Sequence, residues 1–369
     1  MRKKRIFIPL ILIGMMIAVN ILAWNSRAFS DFYLSSIFPV ITSVGSFITG
    51  IFPFSVGEIL IMLLIVSVLL CIPAFIFLLI FKKEKLKKFA SFCGVFALWV
   101  FTFVLVTETF NCFILYHCTP FSERYFTPTE HTEDDLFALY GFLIDRANEL
   151  SQQVERYEDG KFKLTAPLNE TAKEAMKNIS DDYGMLKGYY PNAKPIMSSF
   201  FMSQNKLLGI YFPFTLEANY NPDITEINRP DTVCHELAHL KGVIQENEAN
   251  FISFLAGINS GSIEFQYSSY VNALEYVHNE CYETNRPRWK GYTDSISPKI
   301  TSEWFNFVPD DYWEKNKKKE IISTETVATI SGAATDTSLK LNGVGAGIKS
   351  YSQMVTLLLD YYSSVPNAF

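Results

Sequence analysis

CHELAHLKGVIQENEANF, residues 234–251, contains two histidines four positions apart and a glutamate beside the first of them. On a helix, side chains four residues apart lie on one face, so the imidazoles of His235 and His239 can direct ring nitrogens to one point. Glu236 then lies where it can hold a water bound at that point. The spacing therefore predicts a helical zinc site in which Glu236 takes a proton from the water.

A glycine and two glutamates follow the histidine pair at a short distance. Gly242 stands three residues after His239, and glycine readily adopts the left-handed conformation that ends a helix, which would let the chain return towards the metal. Glu246 and Glu248 come next, in a segment compatible with a helix. Two residues apart on a helix, they diverge by about 200°, so both cannot face the metal.

We predict that Glu246 is the third zinc ligand and keep Glu248 as the second choice. Glu246 shares a helix face with Asn250, whose side chain could hydrogen-bond to a ligating imidazole and orient it. Glu248 instead shares its face with Ile252, which offers no such bond. The predicted cofactor is accordingly Zn²⁺, held by the two histidines and one carboxylate.

Other interpretations of the pattern remain open. The histidines could belong to an ordinary exposed helix start, or the metal could be structural, although a structural site normally has four protein ligands. Cys234 adjoins the first histidine but points about 100° away from it on a helix, which favours a place in the core. His278 could bind substrate, yet a lone helical histidine is more often structural, and Tyr267 and Tyr270 are equally available.

Three long apolar stretches precede this region and predict three transmembrane helices, near residues 6–23, 59–81 and 89–115. Each is long enough to cross roughly 30 Å of hydrocarbon at about 1.5 Å per residue. The first could instead be a cleaved signal peptide, but no clean small-x-small cleavage site follows it. Residues 25–57 are expected to form an external loop, in part helical, that lies against the bilayer or packs on the external domain.

Charge divides the chain into two parts. Residues 1–118 carry 10 Lys and Arg against 4 Asp and Glu, a balance of +6, whereas the rest carries 22 against 34, a balance of −12. The basic runs MRKKR and KKEKLKK (82–88) are both expected on the cytoplasmic side, which places the chain after Cys118 outside the cytoplasm. An acidic external domain argues against a nucleic-acid partner.

The remaining chain has the pattern of a mainly helical domain with a small β element. The aromatic stretch 207–221 predicts one or two strands, with Pro213 favouring an edge position. Helices are predicted from the cap Thr132 to about Glu155, over Asn169–Met185, from Asn228 through Pro230 into HELAH, and over Glu246–Ile258, Ser262–Thr284 and Ser350–Tyr362.

Six cysteines give no dense disulfide framework. Cys71 and Cys93 fall within predicted membrane helices. Cys234 and Cys281 belong to the predicted external domain, where a disulfide between them is chemically permitted. The alternative is a pair of buried free thiols, and the sequence leaves both open.

The residues around the histidine pair also carry resemblances. HExxH followed by ENEAN is similar to the ExxAN motif of membrane-associated zincin peptidases, which implies that Glu246 is the third ligand, although the spacing is shorter here. HELAHLKG resembles the start of the metzincin motif, whose third histidine is replaced by Gln245. The helices before HELAHLKG, the segment ENEANFISFLA and the tail LKLNG…SYSQMVTLLLDYY resemble a bacterial membrane family, domain of unknown function 3810. That resemblance implies a zinc-peptidase site without a known substrate.

These features together predict a three-helix membrane anchor, residues 1–118, and an extracytoplasmic zincin-like domain, residues 119–369, that is mainly α with a small β element. The expected activity is zinc-dependent hydrolysis of a peptide or protein substrate at the outer face of a cell membrane, with Glu236 as general base and then proton donor. The alternative is a non-catalytic scaffold or envelope receptor with a structural or degenerate metal site. Glu236 favours the enzyme, because a structural site has no need of that carboxylate.

Overall fold

The computed structural model of the protein describes residues 4–304, 306–327, 329 and 350–364. Contacts between residues divide the chain into two compact units. The N-terminal unit consists of residues 1–118 together with Phe212–Glu217, and the C-terminal unit consists of residues 119–211 and 218–369. The segment LKLNG (339–343), which carries part of the resemblance noted above, lies outside the described residues.

The N-terminal unit is built from apolar helices joined by short turns. Within the part of the chain that the structure describes, four stretches are long and apolar enough to cross a membrane: Arg5–Asn25, Arg27–Gly50, Val56–Phe81 and Lys83–Tyr116. The elements in chain order are α1 (Lys4–Asn25), α2 (Arg27–Phe32), a π turn (Tyr33–Ile37), α3 (Phe38–Gly50), α4 (Val56–Phe81), α5 (Lys83–Glu108), a second π turn (Thr109–Phe113) and α6 (Ile114–Tyr116).

Residues 25–57, expected to be an external loop with some helix, are helical over most of their length. α2, the π turn and α3 follow one another without a break from Arg27 to Gly50. Pro39 does not end this helix: it lies in the first turn of α3, directly after the π turn, where the regular pattern of hydrogen bonds already changes. The chain therefore has a fourth long apolar helix in addition to the three that the sequence predicted.

α4 and α5 form a hairpin around Lys82, which ends the first helix and precedes the second. The two helices pack against each other and have 26 residues each, so the first turn of α4 lies at the same end of the hairpin as the last turn of α5. α1 runs beside α5 in the same direction. The Asn20 side chain donates a hydrogen bond to the hydroxyl of Thr109 (2.9 Å), and Trp99 donates one to the carbonyl of Arg5 (3.1 Å).

The start of α4 is capped by two side chains. The hydroxyl of Ser55 accepts a hydrogen bond from the N–H of Glu58 (3.2 Å). The carboxylate of Glu217 accepts from the N–H groups of Val56 (3.0 Å) and Gly57 (2.7 Å). A negative charge at the N-terminus of a helix is stabilising, because the free N–H groups and the helix dipole both favour it. Segment Phe212–Glu217 is therefore fixed against the start of α4.

The C-terminal unit is mainly helical, as the sequence predicted. Its helices are α7 (Phe121–Tyr125), α8 (Glu133–Ser151), α9 (Leu168–Ser180), α10 (Ser199–Gln204), α11 (Arg229–His239), α12 (Glu246–Ile258), α13 (Ile263–Thr284), α14 (Arg286–Thr293), α15 (Pro298–Trp304), α16 (Tyr312–Asn316) and α17 (Ser350–Ser364).

Three short strands form one sheet, in the order β1 (Lys194–Pro195), β3 (Glu217–Tyr220), β2 (Gly209–Phe212). β3 is central and pairs with β1 in parallel, with Lys194 opposite Asn219. β2 lies at an edge. The aromatic stretch therefore supplies two strands, and Pro213 lies in the turn between them.

Several predicted helix boundaries are confirmed by local contacts. Thr132 caps α8, since its hydroxyl accepts from the N–H of Asp135 while the Asp135 carboxylate accepts from the N–H of Thr132. Ser262 caps α13, because its hydroxyl accepts a hydrogen bond from the N–H of Phe265. α12 has the predicted bounds. α8 and α9 are shorter than predicted and end at Ser151 and Ser180.

α11 and α12, which carry the candidate site, pack against each other in the core. Leu237 and Ala238 on α11, and Phe251 and Ile252 on α12, are all completely buried. Burying one such large side chain is worth about 1.5–3 kcal/mol. The apolar faces of both helices thereby fix which way their polar side chains point.

All six cysteines are free. Cys234 and Cys281, the pair for which a disulfide was considered, are 1% and 0% exposed. The structure therefore agrees with the alternative of two buried thiols, which behave as small apolar side chains in the core.

Candidate metal centre

His235 and His239 lie on α11, and a left-handed turn after the helix directs the chain back towards them. α11 ends at His239, and Gly242 has a φ of 86°, the conformation predicted for it. The N–H of Val243 bonds back to the carbonyl of Ala238 (3.4 Å), which closes the turn. α12 therefore begins close to the two histidines.

Glu246, the first residue of α12, meets both histidines. Its carboxylate oxygens lie 3.1 Å from Nε2 of His235 and 3.8 Å from Nε2 of His239. In the part of the chain that the structure describes, these three residues form a group whose ligand atoms all lie within 4.8 Å of one another. The two imidazoles are 13% and 7% exposed, whereas the Glu246 side chain is 52% exposed. The group is thus reachable from solvent on the side of Glu246.

A backbone carbonyl orients the ring of His239. Its Nδ1 lies 2.6 Å from the carbonyl oxygen of Val243, and burial lowers the pKa of this ring to about 4. The neutral ring must therefore carry its proton on Nδ1, which leaves the lone pair of Nε2 free for a ligand. Asn250, which the sequence suggested for this orienting role, makes no hydrogen bond from its side chain to either imidazole among the described residues.

The Glu248 carboxylate caps the start of α7 (Phe121–Tyr125). Its carboxylate accepts hydrogen bonds from the N–H of Phe121 (2.8 Å) and from the N–H (2.9 Å) and hydroxyl (2.6 Å) of Ser122. Glu248 is 2% exposed, and burial raises its pKa. These three bonds occupy the carboxylate. Of the two glutamates considered, Glu246 is the one that the structure brings to the histidines.

Glu236 is buried beside the histidine pair, 4% exposed. Among the described residues, its Oε2 atom has no hydrogen-bond partner. The other side of the carboxylate lies against Gly209 of β2, where an added Cβ would stand 2.3 Å from Oε1. Burial raises the pKa of Glu236 to about 8, against the opposing effect of the charge on His235. A buried, unpaired carboxylate oxygen is costly to the fold and is therefore a mark of a ligand-binding or reactive position.

Charge links His235 and Glu246 directly. Burial disfavours the imidazolium of His235, but its hydrogen bond to Glu246 and the negative charges of Glu246 and Glu236 outweigh this effect and raise its pKa to about 9. Desolvation acts against the Glu246 carboxylate, yet the same hydrogen bond and the charges of the two imidazoles lower its pKa to about 2. A metal ion would take the place of the proton on His235, since it binds neutral imidazole and ionised carboxylate.

The three ligand atoms suit a zinc ion. In a tetrahedral site with zinc–ligand distances near 2.0–2.1 Å, neighbouring donor atoms stand roughly 3.3 Å apart. The two Glu246 oxygens lie 3.1 Å and 3.8 Å from the two imidazoles, and one ligand atom from each of the three residues lies within 4.8 Å of the others, which is close to this spacing. Two imidazole nitrogens and one carboxylate oxygen also form the ligand set of catalytic zinc sites that keep a fourth position open. The residues present therefore fit zinc.

The other candidates from the sequence have structural surroundings. Cys234 is buried and does not belong to the ligand group. Nδ1 of His278 lies 2.8 Å from a buried tyrosine hydroxyl, and its ring packs against two tryptophans. Tyr267 donates its hydroxyl proton to a buried glutamate (2.9 Å), and the ring of Tyr270 carries an arginine guanidinium at 5.5 Å.

Three features of the site were not predicted. Gly209 and the carbonyl of Val243 contribute through backbone atoms, so the residue types in the sequence do not indicate their roles. Asp231 could have been found, because it stands four residues before His235 on the same helix face. Its carboxylate accepts a hydrogen bond from Ser253 (2.8 Å), and burial raises its pKa to about 6.

Comparison with known families adds one finding. Residues 33–359 match the family described as protein of unknown function, DUF3810. The chain belongs to this family. The match covers the whole of α11 and α12 and therefore includes the candidate site. No curated protein and no solved structure matches the chain, so membership of DUF3810 brings no assigned activity.

Replacing Glu246 and Glu248 by glutamine separates the two candidates for the third ligand. Glu246→Gln removes a charged ligand, and we expect zinc to bind at least about a hundredfold more weakly, since even losing a residue that merely orients a ligand costs about 10–100-fold. Glu248→Gln should keep its zinc but lower the free energy of unfolding by about 1–3 kcal/mol, because the amide cannot accept all three bonds. Zinc content by mass spectrometry and thermal unfolding of both purified variants check this. Loss of zinc in Glu248→Gln alone would contradict the assignment.

Proposed function

We propose that this protein is a membrane-anchored zinc metallopeptidase of the zincin type. The observation that carries the proposal is the combination of two carboxylates with different roles beside one histidine pair. Glu246 converges with His235 and His239 at ligand spacing, while Glu236 is buried next to them with an oxygen that has no partner among the described residues. The first arrangement suits a ligand, and the second suits a general base.

Zinc at this site would supply Lewis-acid chemistry, by lowering the pKa of a water and polarising the carbonyl of the substrate. His235, His239 and Glu246 would hold it. Glu236 would accept a proton from the attacking water and then give that proton to the amine that leaves when the C–N bond breaks. Its buried position against Gly209 keeps the carboxylate in one place and excludes bulk water from one side of it.

A peptide is the substrate class that the surroundings favour. β2, the strand whose Gly209 touches Glu236, lies at the edge of the sheet. An extended peptide can add to an exposed sheet edge through backbone hydrogen bonds, and such pairing would hold it beside the carboxylate. Because Gly209 has no side chain, the Glu236 carboxylate can lie directly against this strand.

We further propose that the site faces the outside of the cell membrane. The two basic runs of the N-terminal unit, at residues 2–5 and 82–88, belong on the cytoplasmic side by the distribution of Lys and Arg. With three membrane crossings, the two runs share the cytoplasmic side and the chain after Cys118 lies outside. The bilayer and an external peptide or protein are accordingly the expected partners.

The rival is a non-catalytic scaffold or envelope receptor with a structural metal site. A structural zinc site usually closes with four protein ligands, and among the described residues three gather here. Cys234, the cysteine nearest to the histidine pair in the sequence, is buried in the core and does not belong to that group. Glu236 also has no task in a structural site, so the geometry favours the enzyme.

Glu236→Gln tests the proposed base directly. Glutamine keeps the size of the side chain but cannot take a proton, so we expect normal zinc content and normal folding with cleavage slowed by about 10²–10⁴-fold, or roughly 3–5 kcal/mol of barrier. The substrate comes from digesting a peptide library with detergent-purified, zinc-loaded wild type and reading the products by mass spectrometry.

The results of that experiment distinguish the peptidase from the non-catalytic scaffold. Zinc-dependent cleavage by the wild type and its loss in Glu236→Gln would support the peptidase. Equal cleavage by the two proteins would contradict the mechanism. A wild type that binds zinc but cleaves nothing in the library would favour the scaffold.

Gly209→Ala tests whether the close approach of β2 positions the base. The added Cβ would stand 2.3 Å from Oε1 of Glu236, so the carboxylate must move. A displacement of about 1 Å in an active site can cost about 10²-fold in rate, and we expect a loss of that size with zinc content unchanged. Gly261→Ala is the matched control, since a Cβ there meets nothing within 4 Å. Equal activity of both variants would rule out this positioning role.

A further inference from the structure

The helix Arg27–Gly50, here called the surface helix, exposes many large apolar side chains together with Arg27, Ser35 and Ser36, and buries most of its other hydroxyl groups. Its most exposed large residues are Phe32 (58%), Val40 (62%), Val44 (55%), Phe47 (59%) and Ile48 (54%). No charged residue stands between Asp31 and Glu58. An exposed apolar face of this length is unfavourable in water and requires a covering.

The buried side of the surface helix carries hydroxyl groups at a regular spacing. Ser30, Leu34, Phe38, Thr42 and Ser46 follow one another at intervals of four residues, and all are buried. The hydroxyl of Ser46 donates to the carbonyl of Thr42 (2.5 Å), and that of Ser30 to the carbonyl of Ala23 (3.5 Å). The polar groups are therefore satisfied within the protein, and none of these hydroxyls needs water on the outer face.

The beginning of the surface helix is bonded to the chain that follows α5. The carbonyl of Ser30 accepts a hydrogen bond from the thiol of Cys118 (3.2 Å). The hydroxyl of Tyr33 donates to the carbonyl of Phe110 (2.8 Å). The start of the surface helix therefore lies at the end of the hairpin where α5 terminates.

The end of the surface helix lies at that same end of the hairpin. Residues 51–55 connect it directly to the first turn of α4, which is level with the last turn of α5. A Cβ on Gly45 would stand 2.4 Å from the side chain of Leu216. Segment Phe212–Glu217 is in turn bonded to the start of α4 by Glu217, and to the chain after α5 through Asn111, which donates to the carbonyl of Pro213 (2.6 Å).

A crossing helix cannot have both ends at one end of the bundle. The surface helix has 24 residues, or about 36 Å at 1.5 Å per residue, which is enough to cross roughly 30 Å of hydrocarbon. Since its two ends are tied to the same end of the α4–α5 hairpin, its length must instead run across the bundle axis. Length and composition alone would have counted it as a span.

We propose that the surface helix lies along the membrane surface, with its exposed face in the acyl chains of one leaflet, and does not cross the bilayer. The exposed face is covered by lipid hydrocarbon, because the neighbouring helices of the same unit, α1, α4 and α5, also expose apolar side chains. Three crossings remain, and the chain after Cys118 emerges on the side opposite to the N-terminus. This assignment is independent of the proposed peptidase activity.

The basic residues agree with three crossings. With three, the runs at residues 2–5 and 82–88 lie on the same side of the membrane, as the preference of Lys and Arg for the cytoplasm requires. With four, they would lie on opposite sides. Charge and hydrogen bonding thus lead separately to the same topology.

Spin-label depth measurements on the full chain in liposomes test the proposal. The partly exposed thiols Cys71, Cys93 and Cys112 are first replaced by alanine, and this background must unfold at the temperature of the wild type. Single nitroxide labels are then placed at exposed positions along the surface helix and at Ile51, the residue that follows it. Their accessibility to oxygen and to a water-soluble nickel complex is compared. The positions are Phe32, Val40, Phe47 and Ile51, with Leu63, Leu70 and Phe77 of α4 as the crossing control.

The two arrangements give different depth profiles. A surface helix places all four labels at one shallow depth, about 5–10 Å below the headgroup boundary. The α4 labels should instead pass from shallow to the centre of the bilayer and back, a change of roughly 15 Å. A maximum of depth at Val40 with shallow values at Phe32 and Ile51 would overturn the proposal in favour of crossing. Labels open to the nickel complex, or shielded from both reagents, would exclude lipid as the covering.

Discussion

The turn after α11 is the constraint on which the candidate site depends. Gly242, at a φ of 86°, reverses the chain three residues after His239, so that α12 can begin beside the helix that it follows. A residue with a Cβ is strained in this conformation. The same turn presents the Val243 carbonyl to Nδ1 of His239 and Glu246 to Nε2 of both rings. One reversal of the backbone thus brings Glu246 to both imidazoles and orients one of them.

Their surroundings give the two glutamates of the site opposite properties. Glu246 is half exposed and paired with imidazoles, which lower its pKa to about 2. Glu236 is adjacent, buried and unpaired at one oxygen among the described residues, and its pKa rises to about 8. A carboxylate that stays ionised is suited to holding a cation, whereas one that can gain and lose a proton near neutral pH is suited to acid–base chemistry. The difference between the two carboxylates follows from their surroundings rather than from residue type.

Much of the site could be predicted from residue spacing, because its ligands come from two adjacent helices. The interval between His235 and His239, the glycine at 242 and the angle between Glu246 and Glu248 are all local, and helical geometry decides them. Gly209 and the Val243 carbonyl could not be predicted, since both act through backbone atoms. Gly209 also belongs to a strand that precedes α11 in the chain. Which strand packs against which helix is decided by tertiary structure and not by local residue spacing.

The N-terminal unit shows a different limit of sequence reasoning. The length and low charge of residues 25–57 suggest an external loop, but Arg27–Gly50 is helical. The hydroxyl of Ser46 bonds to a helix carbonyl, and Pro39 lies in the first turn of α3. By length and composition the same helix also qualifies as a candidate membrane span. Its position depends on the contacts of Cys118, Phe110 and Leu216, which lie far from it in sequence.

X-ray absorption at the zinc edge of the purified wild-type protein tests the central claim most directly. The account predicts one zinc per chain, with four or five nitrogen and oxygen ligands at about 2.0–2.2 Å, outer-shell scattering from two imidazoles and no sulfur. His239→Ala should lose this metal. One sulfur ligand per zinc at about 2.3 Å would mean that Cys234 or another thiol binds the metal. The site would then be a structural zinc site. A protein that retains no metal under conditions where it is folded would contradict the account altogether.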